Sequence, residues 1–141
     1  MAQQWILLSY TLPREPSAPR VALWRKLKKL GAVLVHEALW VLPVTLKVHE
    51  HVRWLATEIL EAGGTAYVWY AQAEQESSLI AQFVAQAEAK YQEVLQQLDD
   101  PLISRLELAR RYQQIRAIDY FHAPSGEQVR ARLEGGTACD G

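Results

Sequence analysis

The stretch Arg20–Pro43, RVALWRKLKKLGAVLVHEALWVLP, decides the fold. Its first half has helical periodicity. Val21, Leu23, Trp24, Leu27 and Leu30 are assigned to one side of the wheel, opposite Arg25, Lys26 and Lys29. Gly31 stands where a helix C-terminus favours a left-handed residue. After it, Ala32–Val35 and Leu39–Leu42 are short apolar runs separated by the polar pair His36-Glu37, the pattern of two strands meeting at a hairpin corner. Pro43 ends the second run. Helix, tight turn and hairpin are therefore expected in succession.

The chain upstream adds a strand. Trp5–Leu12 is apolar at both alternating positions and is stopped by Pro13, as a central strand would be. Arg14–Pro19 is a Pro-rich loop, with Ser17 as the expected N-cap of the helix that ends at Leu30. Downstream, Thr45 is placed to cap a second helix to Ala62 whose buried stripe is Val48, Val52, Leu55 and Ile59. Gly63-Gly64 stops it, and Thr65–Ala71 (TAYVWYA) is strand-like. The order strand, helix, strand, strand, helix, strand predicts an α+β domain of the ferredoxin-like βαββαβ type, a four-stranded antiparallel sheet with two helices on one face. Two helices cover one face only. Because the strands are apolar on both faces, either a partner subunit or the C-terminal segment is expected to cover the other.

That segment is predicted helical. Ile80, Val84, Ala87, Tyr91, Val94 and Leu98 keep a four-three spacing. Asp99-Asp100-Pro101 predicts a break, with Asp100 as N-cap and Pro101 opening a second helix over about Leu102–Ile118, so that the two form an antiparallel hairpin. Ser125-Gly126-Glu127-Gln128 has the form of a capping box opening a short helix to about Leu133. A single domain over residues 1–134 is expected, with a ferredoxin-like core at 4–72, a helical extension at 76–134 and a disordered tail at 135–141.

Composition narrows the function. A chain of 141 residues that is 50% hydrophobic has one-domain length and enough apolar material for a core. No apolar run approaches the roughly 18 residues of a membrane span, and no export signal precedes the first strand. Cys139 is the single cysteine, which closes no intramolecular disulfide, so a cytoplasmic location is expected. Net charge is −1, but up to Arg53 eight basic residues face three acidic ones, whereas the remainder holds seven basic and thirteen acidic. An anionic partner is therefore expected at the N-terminal half alone.

Arg25, Lys26, Lys28 and Lys29 are the densest local signal, fitting a helix face that meets phosphate or an oxyanion, or else an ordinary solvated face. His36, His49, His51 and His122 lack metal-ligand spacing, since two positions two apart on a helix diverge, and no metal or other cofactor is expected. No nucleophile elbow, phosphate-cradling glycine loop or Cys/His pair is present. Glu50, Glu58 and Glu61 are assigned to solvent. Trp5, Trp24 and Trp40 are assigned to the core, and Trp54, off its helix's apolar stripe, to a partner-facing surface.

WILLSYTLP, RVALWRKLKKLGA and LWVLP near the start, with RRYQQIRAIDYFHAPSGEQVRARL near the end, resemble the N-terminal domain of the ChrB family of chromate-resistance regulators, from Trp5 to about Leu133. More distantly, the first half looks like the Cas2-type ferredoxin-like domain of CRISPR adaptation proteins and of PaaX-type repressors. The ChrB resemblance implies a cytoplasmic bacterial protein acting on transcription in the chromate response. It makes Arg20, Arg25, Lys28 and Lys29 candidates for contact with DNA, or with chromate or another oxyanion, and Lys26 joins them as part of the same cationic run. Such proteins usually continue into a second domain, whose contribution would have to be absent here or come from another chain. A homodimer and a non-enzymatic role are expected. The rival implication, a metal-dependent nuclease, needs an acidic residue near the end of the first strand, where this chain has Ser9-Tyr10-Thr11.

Overall fold

A computed structural model describes residues 2–138 of the chain, with side chains described to residue 135. Its elements in order are β1 (Trp5–Thr11), α1 (Ala18–Leu30), β2 (Val33–His36), β3 (Leu39–Pro43), α2 (Leu46–Glu61), β4 (Thr65–Ala71), α3 (Glu76–Gln97), α4 (Arg105–Ile118) and α5 (Ser125–Ala138). They divide into two compact units, residues 1–77 and 78–141, and all five tryptophans fall in the first.

The first unit carries one sheet in the order β2-β3-β1-β4 with every neighbour antiparallel. That order and the βαββαβ succession make it ferredoxin-like. Cross-strand partners share a sheet face. Ile6 and Leu8 of β1 stand beside Leu42 and Trp40 of β3, all at most 2% exposed, on the face toward the helices. Tyr70 of β4 is on that face too, because its hydroxyl hydrogen-bonds to His49 Nδ1 of α2. On the other face Trp5, Val33 and Val41 are buried, while Tyr67 and Trp69 of β4 are 62% and 54% exposed.

Local chemistry sets the element ends. Thr45 is extended and its Oγ1 accepts from Val48 N at 3.0 Å, so α2 starts where the sequence predicts. The predicted stripe Val48, Val52, Leu55 and Ile59 is buried. Gly31 takes φ 86°, and Gly31 N and Ala32 N return to Lys28 O and Leu27 O, each at 3.1 Å. Ser17, by contrast, has helical backbone (φ −80°, ψ −17°) and makes no side-chain cap; Pro19, without an N–H, sits in the first turn instead. The hairpin corner falls at Glu37-Ala38, with Glu37 at φ 28° and a register shift between Leu34 and His36, so His36 belongs to β2.

In the second unit Ala87, Tyr91 and Val94 of α3 cluster with Leu108, Tyr112 and Ile115 of α4, Ala123, and Val129 of α5. The predicted seam is present, and Phe83 joins the buried side of α3. Tyr91 reaches Asp119 near the end of α4, while Gln97 reaches Arg111 in its middle, which makes the pair an antiparallel hairpin. Two predicted caps are corrected. Asp100 Oδ1 accepts from Leu102 N at 2.9 Å within a turn, and α4 starts at Arg105 behind Ser104, whose Oγ accepts from Glu107 N at 3.1 Å. Ser125 makes no capping box. Its N–H and Oγ–H both donate to Glu88 of α3, at 2.7 and 2.5 Å, and its Oγ accepts from Gln92 Nε2 at 3.0 Å. The helix it opens continues past Leu133 to Ala138. Cys139 and the rest of the predicted tail, 139–141, lie outside the described residues.

Candidate functional site

α1 places its charges by simple helical geometry. Leu23 and Leu27 are the buried residues, 3% and 0% exposed, and Leu30 is half-buried. At about 100° per residue Val21 lies roughly 160° around the helix from Leu23. Accordingly, Val21 is 47% exposed and Trp24 49%, which corrects their assignment to the apolar side and to the core. The signal that finds them is the angular one: only the 23-27-30 row is compatible with a single buried stripe.

The exposed arc that remains runs through Arg20, Val21, Trp24, Arg25, Lys28 and Lys29. Lys28 Nζ stands 5.8 Å from the Trp24 ring centroid, within cation–π range. Lys26 departs from its neighbours. Its Nζ donates to both carboxylate oxygens of Glu58 on α2, at 2.9 and 2.8 Å, so its charge is largely compensated. The same bond removes Glu58 from the purely solvated set, whereas Glu50 and Glu61 are exposed as expected. Arg20, Arg25 and Lys29 make no ion pair among the described residues. Of the five predicted basic residues, four thus present cationic groups beside an exposed indole, and one braces α1 to α2.

Other sequence candidates are dispersed. His36, His51 and His122 are exposed, and His49 is half-buried against Tyr70, with ring centroids 5.7 Å apart. Among the described residues no group of three His, Cys, Asp or Glu side chains is gathered as a metal site would need. At the end of β1, Ser9 Oγ accepts from Trp69 Nε1 at 3.1 Å and Thr11 Oγ1 lies 2.6 Å from Thr65 Oγ1, so both hydroxyls serve the β1–β4 pairing. Trp54 is 70% exposed, as expected from its position off the stripe.

The second unit holds a polar network with no obvious sequence signal. Tyr91, 1% exposed, donates its hydroxyl to Asp119 Oδ2 at 2.9 Å, and both Asp119 oxygens accept from Ala123 N. Burial, reinforced by the Asp119 carboxylate, pushes the Tyr91 phenol well above its ordinary range. Burial alone pushes Tyr120 up to about 12. With the Glu88–Ser125–Gln92 bonds, this network ties α3 to the loop before α5 and to the start of α5. It contains side chains separated by 37 residues, which no local motif connects.

A family model described as "Protein ChrB, N-terminal" matches residues 20–104, more than half of the chain and all of the cationic helix from Arg20 onward. The chain belongs to the ChrB N-terminal family. It is also similar to Protein ChrB of Cupriavidus metallidurans, at 29% identity over 145 aligned positions covering 92% of this chain and 44% of that protein. The chain therefore spans under half the length of the curated relative it matches. No solved structure matches. Among the described residues no helix is long and apolar enough to cross a membrane.

Proposed function

We propose that this chain is a non-enzymatic regulatory or binding module of the chromate response, a cytoplasmic homodimer that meets DNA through the exposed arc of α1. One observation carries the reading: Arg20, Arg25, Lys28 and Lys29 are exposed beside a half-exposed Trp24, while Lys26 alone is tied to Glu58. Coulomb attraction to phosphates suits such an arc, and an aromatic among cations adds a flat apolar contact that a merely solvated face does not need. ChrB membership supports the chromate connection. Chromate or another oxyanion is the alternative anion for the same face.

Fluorescence anisotropy with labelled duplex DNA at several salt concentrations tests the proposal. The Arg25→Ala/Lys29→Ala double variant is expected to bind more weakly across sequences, with the salt slope flatter by about two, one for each lost phosphate contact. Stability should hardly change, since exposed charges contribute little to folding. Lys26→Ala should leave the slope unchanged. An oxyanion site would instead bind chromate without DNA and be competed by sulfate. Unchanged binding in the double variant makes the arc a solvated face. The nuclease alternative is tested in the same tubes with Mg²⁺ or Mn²⁺: cleavage lost on replacing one acidic residue would overturn the non-enzymatic reading.

A further inference from the structure

The two edges of the sheet are unlike. β2 is four residues long, carries a register shift between Leu34 and His36, and ends at His36, just before Glu37 of the corner. A short, irregular strand with polar residues is a poor template for another strand. β4 is seven residues, Thr65–Ala71, without charge, proline or irregularity, and pairs with β1 in unbroken register from Trp5↔Ala71 to Thr11↔Thr65. Among the described residues no backbone hydrogen bond reaches β4 other than from β1. Tyr67 and Trp69 on one face and Tyr70 on the other are more than half exposed along it. Such an edge presents unsatisfied backbone donors and acceptors in a regular row beside large aromatics.

We infer that β4 pairs antiparallel with β4 of a second copy of this chain, joining two four-stranded sheets into one of eight strands. This rests on the self-association proposed above and specifies its geometry. Residues directly opposite in an antiparallel pair share a face, and a twofold axis makes the pairing reciprocal. Only an axis at Val68 pairs all seven residues. It sets Thr65 opposite Ala71, Ala66 opposite Tyr70 and Tyr67 opposite Trp69, in both directions. The two Tyr67–Trp69 pairs then form a four-ring cluster that extends the tilted contact already present within one copy, where the centroids are 6.2 Å apart. The absence of charge on β4 argues for this occupant over nucleic acid, because the strand offers phosphates no cation.

Full-length protein with Cys139→Ser provides the test. Multi-angle scattering over a dilution series should give a dimer, and Tyr67→Lys/Trp69→Lys, which sets lysines opposite lysines at exposed positions, should give a monomer with an unchanged far-ultraviolet spectrum. In the same background Val68→Cys should form an intermolecular disulfide under mild oxidation, since Cα atoms directly opposite in an antiparallel pair lie about 4.5–5.5 Å apart, within disulfide reach. Thr65→Cys, opposite Ala71, should not. A dimer in which Val68→Cys fails to cross-link, or cross-links no better than Thr65→Cys, would overturn the β4 geometry and leave self-association standing. A monomer at every concentration would overturn both. Neither result touches DNA binding by α1, which is read without cross-linking.

Discussion

Two adjacent glycines do different jobs at the end of α2. Gly63 takes φ 86°, and a Cβ there would have open space, its nearest neighbour being Pro13 Cγ at 3.8 Å. Gly64 takes an ordinary φ, but a Cβ would lie 2.1 Å from Thr11 O. Gly63→Ala is therefore expected to cost about 1 kcal/mol through backbone strain. Gly64→Ala should cost about 3 kcal/mol or more, because β1 has to move away from the turn. Urea denaturation of the two variants checks the order. In the sequence both glycines read alike, as a helix stop. What separates them is the carbonyl of Thr11, brought there by the sheet. The caps follow the same logic. Thr45 and Gly31 are legible because their partners are three or four residues away. Ser17, Asp100 and Ser125 are not: one has helical backbone, one serves a turn, and one is claimed by Glu88. Glu88→Ala should cost about 1–3 kcal/mol by leaving the buried Ser125 hydroxyl without its acceptor. Tyr120 gives a pH prediction. Its folded-state value of about 12 lies above the ordinary 10.0, so the unfolded state releases the proton first. The contribution is complete below about pH 10 and is lost as pH rises from there to about 12. Urea midpoints measured across this window should fall less steeply in Tyr120→Phe.

At the scale of the element, α1 separates folding residues from interaction residues along one helix. Leu27→Ala, at a position with no exposure, should cost about 2–5 kcal/mol. Val21→Ser, at an exposed position about 120° around the helix, should stay within about 0.5 kcal/mol, and thermal denaturation distinguishes the two. Periodicity locates the helix and its end at Gly31 without difficulty. It misplaces Val21 and Trp24, because "apolar" and "buried" are different properties and only the angle between residues decides which apolar side chains share a stripe. The cationic residues are legible as a group, yet the ion pair that sets Lys26 apart is not: Glu58 lies 32 positions away on another helix. The strands are legible throughout. Short apolar runs rich in β-branched and aromatic residues, bounded by turn residues, mark all four, and the antiparallel order follows from the succession of elements. The difference between the β2 and β4 edges emerges only when the register is known.

At the scale of the molecule, the sequence predicts one domain over residues 1–134, whereas the chain resolves into two compact units, each with its own buried cluster. One folding domain requires that both units melt together. The placement of the tryptophans turns that requirement into an optical measurement. Trp5, Trp24, Trp40, Trp54 and Trp69 all precede residue 78, so tryptophan emission, excited where tyrosine does not absorb, originates from the first unit alone. Circular dichroism at the helical band instead weighs heavily on α3, α4 and α5. Emission and dichroism followed through one denaturant series are expected to give superimposable curves, the mark of two-state behaviour. Separated midpoints would divide the chain into two independently melting bodies. Within the emission itself, Trp5 and Trp40 are sealed from solvent while Trp24, Trp54 and Trp69 are at least about half exposed. An aqueous quencher such as iodide therefore darkens the second set and spares the first. As an anion, it should also be drawn to the cationic neighbourhood of Trp24, so the native protein carries an intrinsic lamp beside its proposed binding surface, and DNA that shields Trp24 would announce itself as lost quenching without any added label.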